Sequence, residues 1–172
     1  NEELTLTVAV KQVLKRVNGP TVINLSTSST TASVAKAMGS TVFYSKVGES
    51  NVVQMMREKH AVIGGEGNGG VIYPAFHAGR DALVGAALVL SCLAEARSTL
   101  SELVGTFPRY VIIKSKATLP EDFKQRLERL ANQADTLLGK TRIDNRDGVR
   151  FDFADGWVQI RSSNTEPIYR LI

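Results

Sequence analysis

Residues 21–63 read TVINLSTSSTTASVAKAMGSTVFYSKVGESNVVQMMREKHAVI, and short apolar runs alternate in this stretch with helical patterns. The runs at 21–25, 41–44 and 61–63 are brief and rich in β-branched residues, which is typical of buried strands. Between them, apolar residues recur at helical spacing. Strands and helices that alternate in this way predict a three-layer α/β domain with a mostly parallel mixed sheet.

The same alternation extends to both sides of this stretch. Upstream, apolar residues at helical spacing predict a helix that ends at residues 18–20, Asn-Gly-Pro, although its first residues also alternate as a strand would. Downstream, a glycine-rich turn precedes a short strand at 71–73 and a long helix from about Asp81. We therefore assign residues 1–106 to one α/β domain.

A different pattern begins after Thr106, where Phe-Pro follows. The elements that we expect there are a strand at 110–113, a helix that Pro120 opens, and strands at 149–153, 157–160 and 168–172. Ala-Asp-Gly joins the two alternating strands, and Asp-Gly in that place is typical of a hairpin. Residues 107–172 are thus predicted to form a smaller α+β domain with an antiparallel sheet and a helix.

The composition narrows the class of protein. Of the 172 residues, 43% are hydrophobic and 22% are charged, and no apolar run is long enough to cross a bilayer. The net charge of +4 comes from basic residues that are interspersed with acidic ones, unlike the basic stripe of a nucleic-acid binder. The single cysteine, Cys92, suits a reducing compartment. We expect a cytoplasmic protein without membrane or nucleic-acid partners.

A glycine-rich loop, Gly65-Glu66-Gly67-Asn68-Gly69-Gly70, follows the third strand. Its spacing fits a dinucleotide loop, but a strand and a proline come next instead of the helix that would hold a pyrophosphate. Glu66 and Asn68 offer acceptor and donor groups for sugar hydroxyls, and the glycines allow a ring to approach the backbone. A flexible turn with an exposed acid is the alternative.

Two motifs together resemble a known family. The loop at 65–70 resembles the sugar-binding G-E-x-S/N-G-x loop of the α-D-phosphohexomutase superfamily, which includes phosphoglucomutase, phosphomannomutase and phosphoglucosamine mutase. Residues 161–167, Arg-Ser-Ser-Asn-Thr-Glu-Pro, with Arg170 after them, resemble its phosphate-binding loop R-x-S-G/N-T-E-P. Lys46-Val47-Gly48 is similar to a loop of the third domain, so the resemblance covers essentially the whole chain.

The resemblance implies the third and fourth domains of a four-domain enzyme, the fourth without its final helix. Such enzymes interconvert hexose 1-phosphates and 6-phosphates through a bisphosphate. The implied substrate contacts are Glu66, Asn68, Gly65, Gly67 and Lys46, and among them Glu66 and Asn68 bind the sugar hydroxyls. Lys46 could instead be an ordinary solvated lysine. The implied contacts to the non-reacting phosphate are Arg161, Ser163, Asn164, Thr165 and Arg170. Guanidinium forks and hydroxyls are suited to a phosphate, although these arginines could instead pair with Asp152, Asp155 or Glu166 in a surface turn.

The family's catalytic motifs do not occur in these 172 residues. The resemblance places a phosphoserine in a T-A-S-H-N loop and Mg²⁺ on a D-x-D-x-D-R loop, both in the N-terminal domains of the parent enzyme. We therefore expect this chain to hold no catalytic residue and no metal ligand, and to be inactive alone. The alternative is a stand-alone module that binds sugar phosphates. Glu49 and Gly70 stand where members often carry His, which leaves the hexose open.

Overall fold

The computed structural model describes residues 2–139 and 141–172. The chain divides into two compact units, Asn1–Val111 and Ile112–Ile172. The division lies a few residues beyond the boundary that we placed near Thr106. The reason is that Phe107 is buried with Cys92 and Leu103 in the core of the first unit.

The first unit alternates helices and strands as the sequence predicts. Its elements are α1 (Glu3–Leu14), β1 (Thr21–Asn24), α2 (Ser29–Ala37), β2 (Val42–Ser45), α3 (Glu49–Lys59), β3 (Ile63–Gly65), β4 (Val71–Ile72), α4 (Ala82–Ala96) and α5 (Leu100–Gly105). In the described part of the chain the strand order is β2-β1-β3-β4. The pairs β1–β2 and β1–β3 are parallel and β3–β4 is antiparallel, which confirms the predicted mixed sheet.

Successive side chains of β1 pack on opposite faces of the sheet. Ile23 packs with Leu6 and Val10 of α1 on one face of the sheet. Val22 packs with Val52 and Met56 of α3 on the other. Because successive strand residues point to opposite faces, helices cover both sides of the sheet and the unit has three layers.

Strand β3 carries glycine at two of its three positions, Gly64 and Gly65. A Cβ on Gly64 would lie 2.6 Å from the sulfur of Met56, and one on Gly65 would lie 2.8 Å from Cδ1 of Leu6. Side chains of α3 and α1 thus lie directly against the strand backbone. This close approach brings both helices to the strand that leads into the glycine-rich loop.

The second unit is an antiparallel sheet with helices. Its elements are β5 (Ser115–Thr118), α6 (Phe123–Asn132), α7 (Ala134–Leu138), β6 (Arg142–Asp144), β7 (Val149–Asp152), β8 (Trp157–Ser162) and β9 (Ile168–Leu171). The strand order is β5-β9-β8-β7-β6 within the residues described. Val149 and Phe151 pack with Ala134, and Phe123 stacks on Tyr169, so the helices cover one face of this sheet. The predicted hairpin is confirmed, since Asp152 pairs with Trp157.

The strand predicted at 110–113 is wrong. The structure describes these residues, and they form no strand; Val111 and Ile113 are 90% and 72% exposed. The strand lies at Ser115–Thr118 instead, where it pairs with β9. The apolar residues at 110–113 are typical of a strand, but the residues that pair with β9 are those at 115–118. The sequence pattern predicts neither α5 nor β6. No described helix is long and apolar enough to cross a membrane.

Candidate functional site

The glycine-rich loop of the first unit leaves the carboxyl end of β3, next to the ends of β1 and β2. The amide of Glu66 donates to the carbonyl of Gly70 at 2.9 Å, and that of Gly69 donates to the carbonyl of Glu66 at 3.2 Å. Gly69 has a φ of +89°, which favours glycine. The loop is therefore a closed turn held by its own backbone.

Glu66 is buried, with 4% of its surface exposed. Its Oε1 accepts from Nδ2 of Asn24 at 2.9 Å and from the backbone amide of Gly48 at 3.0 Å. Its Oε2 lies 3.4 Å from Nη1 of Arg80. Glu66 is thus not the exposed acid of a flexible turn. Asn24 at the end of β1, Gly48 after β2 and Arg80 beyond β4 fix its carboxylate.

Arg80 links this carboxylate to Glu49, the first residue of α3. The backbone amide of Arg80 donates to Oε1 of Glu49 at 2.8 Å, and its Nε donates to Oε2 at 2.9 Å. These hydrogen bonds, the backbone one first, lower the pKa of Glu49 below its ordinary value. Sequence reasoning did not find Arg80 or Asn24. In the sequence, the acidic residue at position 49, where the resemblance would lead one to expect His, was the only hint of a basic partner for it.

An open cleft of about 440 Å³ lies beside this network and is lined by Glu49, Asn68, Gly70, Arg80 and Asp81, among others. Asn68 is exposed, and its Oδ1 accepts from the amide of Gly70 at 3.2 Å. That leaves the side-chain amide nitrogen as a donor. Lys46 is exposed in the turn between β2 and α3, two residues before Gly48. The predicted residues Gly65, Gly67, Asn68 and Glu66 thus lie together in one loop.

The second motif connects β8 to β9 in the second unit. The amide of Ser163 donates to the carbonyl of Ile168 at 2.9 Å, and that of Thr165 donates to Oγ of Ser163 at 3.4 Å. Ser163 is half-buried, whereas Asn164 and Thr165 are exposed. The turn therefore presents two polar side chains and holds a third at its base.

Basic residues form a row across the same sheet. Arg161 of β8 pairs with Arg170 of β9, and Arg170 pairs on its other side with Lys116 of β5. Residues in register point to the same face, and Ile160, next to Arg161, packs toward the helices. The row Lys116–Arg170–Arg161 thus lies on the face away from α6 and α7. Sequence reasoning missed Lys116, because only the pairing of β5 with β9 brings it there.

The two arginines have different surroundings. Arg161 is 7% exposed, and its Nη1 donates to the carbonyl of Ser162 at 3.0 Å. Arg170 is more exposed, and its Nη2 donates to Glu166 at 3.0 Å. Its Nε is shielded from solvent and has no hydrogen-bond partner within the described residues. The alternative pairing with Glu166 therefore holds for Arg170.

A metal site does not fit the residues at hand. Over residues 2–139 and 141–172, no three His, Cys, Asp or Glu side chains come close enough together to hold a metal ion. The Mg²⁺ that the resemblance implies for the parent enzyme stays a prediction about other parts of that protein.

Comparison with known families connects both loops to one group of proteins. Residues 1–110 match the model of the phosphoglucomutase/phosphomannomutase α/β/α domain III, and residues 112–172 match that of the phosphoglucomutase/phosphomannomutase C-terminal domain. The chain belongs to the phosphoglucomutase/phosphomannomutase family. The glycine-rich loop lies in the family's domain III, and the turn between β8 and β9 lies in its C-terminal domain.

Individual members of the family support this assignment. A phosphoglucomutase/phosphomannomutase of Thermococcus kodakarensis is 35% identical over 97% of the chain. A probable phosphoglucosamine mutase of Methanopyrus kandleri is 36% identical over 89% of the chain. The crystal structure of a family member from Burkholderia thailandensis matches 98% of the chain with a TM-score of 0.80 and 27% identity. The chain spans 36%, 34% and 36% of these three proteins, respectively.

Proposed function

We propose that this chain is the substrate-binding part of a phosphohexomutase, an enzyme that interconverts hexose 1-phosphates and 6-phosphates through a bisphosphate. In this proposal the loop at 65–70 binds sugar hydroxyls, and the turn at 161–170 binds the phosphate that is not being transferred. The observation that carries the proposal is the register pair of Arg161 and Arg170 beside the Ser163–Thr165 turn. Membership of the family supports it.

The proposed phosphate binding by the turn at 161–170 is supported by charge and geometry. Two arginines directly opposite each other repel unless an anion lies between or above them. A phosphate can accept from both guanidinium groups, and Ser163 and Thr165 add hydroxyl donors. Each charge-assisted hydrogen bond contributes about 1.5–3 kcal/mol. Several such bonds are enough to hold one end of a hexose phosphate.

The proposed sugar binding by the loop at 65–70 is supported by the Glu66 carboxylate, which the protein already holds in place. A carboxylate has about four lone-pair sites, and Glu66 uses three with Asn24, Gly48 and Arg80. One site remains for a sugar hydroxyl, and the side-chain amide of Asn68, two residues further along the loop, supplies a donor. Because the carboxylate is held before a ligand arrives, little conformational entropy is lost on binding.

The contribution of this chain to catalysis would be positioning. Phosphoryl transfer depends mainly on orientation and on neutralising charge in the transition state. The group that accepts and donates the phosphoryl, and Mg²⁺, would come from other parts of the parent enzyme. We therefore expect no mutase activity from the 172-residue chain alone, even with Mg²⁺ and a bisphosphate. A stand-alone binding module would behave in the same way, and the sequence upstream of Asn1 distinguishes the two.

Titrations of the isotopically labelled chain followed by NMR test this proposal. Glucose 6-phosphate should shift amides at both 65–70 and 161–170, whereas inorganic phosphate should shift those at 161–170 alone. Arg161→Ala should weaken binding of both ligands by about 2 kcal/mol, roughly thirty-fold. Arg129→Ala, which removes an equal charge from α6, is the control and should change neither. Absence of shifts at both loops with every hexose phosphate would refute the proposed function.

A further inference from the structure

Arg80 contacts both Glu49 and Gly70. The Glu49 carboxylate accepts two hydrogen bonds from Arg80. Gly70 lies against the side chain of Arg80. The first residue of α3 and the end of the glycine-rich loop are therefore linked through Arg80.

The backbone does not require glycine at position 70, since its φ lies outside the left-handed region. What opposes a side chain there is Arg80. A Cβ on Gly70 would lie 2.5 Å from Cδ of Arg80 and 3.2 Å from its Cγ. Arg80 thus occupies the space next to Asn68 that a side chain at position 70 would fill.

Arg80 cannot easily leave this space. Glu49 holds it at two points, the backbone amide at 2.8 Å and Nε at 2.9 Å. Its Nη1 lies 3.4 Å from Oε2 of Glu66 on the other side. The planar guanidinium thus contacts two carboxylates, Glu49 through Nε and Glu66 through Nη1, and this fixes its orientation. The guanidinium is consequently held between α3 and the glycine-rich loop, with 44% of the Arg80 side chain exposed toward solvent.

We propose that Arg80 is a positioning and specificity-determining residue of the glycine-rich loop, where it fills the space beside Gly70 and orients the Glu66 carboxylate. The proposal rests on the proposed function only for the identity of the ligand. Two carboxylates and one guanidinium leave the group Glu49–Arg80–Glu66 with a net charge of −1, and Asp81 lines the same cleft. Such a group favours hydroxyl or ammonium substituents and disfavours a phosphate. We infer that it selects among hexose phosphates by their sugar substituents, and that an amino sugar phosphate is accepted.

The first test needs no ligand. Gly70→His, Arg80→Ala and the double variant are compared by thermal unfolding and by the amide shifts of residues 66–69. Gly70→His should destabilise the chain when Arg80 is present and should cost much less in the Arg80→Ala background, because the obstructing side chain is gone. Arg80→Lys should retain the charge but not the two-sided orientation, and should shift the same amides. Equal costs of Gly70→His in both backgrounds would overturn the steric half of the proposal.

The second test measures selectivity. Dissociation constants for glucose 6-phosphate, mannose 6-phosphate, glucosamine 6-phosphate and inorganic phosphate are determined by NMR for the wild type, Arg80→Ala and Arg80→Lys. Arg80→Ala should weaken binding of glucose and mannose 6-phosphates roughly ten-fold and shift the ratios toward glucosamine 6-phosphate, because the group then loses its positive charge, while inorganic phosphate binding is unchanged. Unchanged ratios between the sugars would overturn the specificity role. If the wild type bound no hexose phosphate, the proposed function and the specificity role would be wrong, and the ligand-free test would still decide the steric role.

Discussion

Arg161 and Arg170 lie directly opposite each other on β8 and β9, so two guanidinium side chains leave one face of the sheet side by side. A like-charged pair in register costs about 0.2–1 kcal/mol relative to a neutral pair. Gly148, the residue before β7, has a φ of +67°, and a Cβ there would lie 2.7 Å from Cα of Arg161. The chain beside β8 thus packs directly against the backbone of Arg161. The Glu166 carboxylate lies beside Arg170, and a bound phosphate would reduce the repulsion between the two arginines further.

Inorganic phosphate should therefore stabilise the second unit. At about ten times its dissociation constant, a ligand that binds the folded state adds about 1.4 kcal/mol to the free energy of unfolding. Fluorescence of Trp157, the single tryptophan of the sequence, reports unfolding of this unit. Chloride at equal ionic strength controls for screening. Arg170→Gln should reduce the gain from phosphate, and an equal gain from chloride would contradict the prediction.

Lys116 should contribute to phosphate binding, although it lies far from the motif in sequence. It is in register with Arg170 and extends the basic row to a third strand. Lys116→Ala should weaken phosphate binding by about 1 kcal/mol, roughly five-fold, and should reduce the salt dependence of binding. Lys124→Ala, an exposed lysine on α6, is the matched control. Identical affinities of the two variants would show that the row ends at Arg170.

Asn24 should be needed for the sugar half of the site but not for the phosphate half. Its Oδ1 accepts from Oγ1 of Thr27 at 2.9 Å, and its Nδ2 donates to Glu66. Asn24→Ala removes a donor from a buried carboxylate and should lower the free energy of unfolding by about 1–3 kcal/mol. Hexose phosphate binding should weaken, while inorganic phosphate binding to the second unit should persist. Asn132→Ala at the end of α6 is the control, and loss of both affinities would point to general unfolding instead.

Glu49 should make stability depend on pH in the acid range. Hydrogen bonds from Arg80, that of the backbone amide first, hold the pKa of Glu49 below its ordinary value of 4.5. A carboxyl whose folded pKa is depressed stabilises the fold above its unfolded pKa, and this stabilisation disappears as pH falls through the folded pKa. Unfolding curves between about pH 6 and about pH 3 should therefore have a shallower pH dependence for Glu49→Gln. Ser50→Ala, at the next position of the same helix, removes no titrating group and should keep the wild-type slope.

The periodic pattern of the sequence was enough to predict the layered first unit and the hairpin of the second. Apolar spacing encodes which face of a helix or strand is buried, and that information is local. The strand at Ser115–Thr118 could not be found in this way, because it is exposed and polar and owes its existence to β9. The strand was predicted at 110–113 instead, because those residues are more apolar.

The residues of the two candidate loops could be named from the sequence for a similar reason, and their roles stay predictions. Glycine-rich and arginine-containing motifs are contiguous, so the residues of both loops could be named from their order. Arg80, Asn24 and Lys116 come to the loops through strand order and helix packing, which a single sequence does not display. Glu66 is separated from Asn24 by 42 positions, yet their side chains are in hydrogen-bonding contact.

The glycines of β3 also bear on the order in which the first unit forms. Glycine loses more chain entropy than alanine on becoming extended, about 0.5–1 kcal/mol per residue, so Ile63–Gly65 has little tendency to form a strand alone. It becomes ordered once Leu6 and Met56 have closed over it, which requires α1 and α3 to have packed on β1. In a refolding experiment we therefore expect the amides of β1 to gain protection first. The glycine-rich loop would then be among the last segments to acquire its native shape. During refolding, the chain should therefore become compact before it regains the ability to bind a ligand.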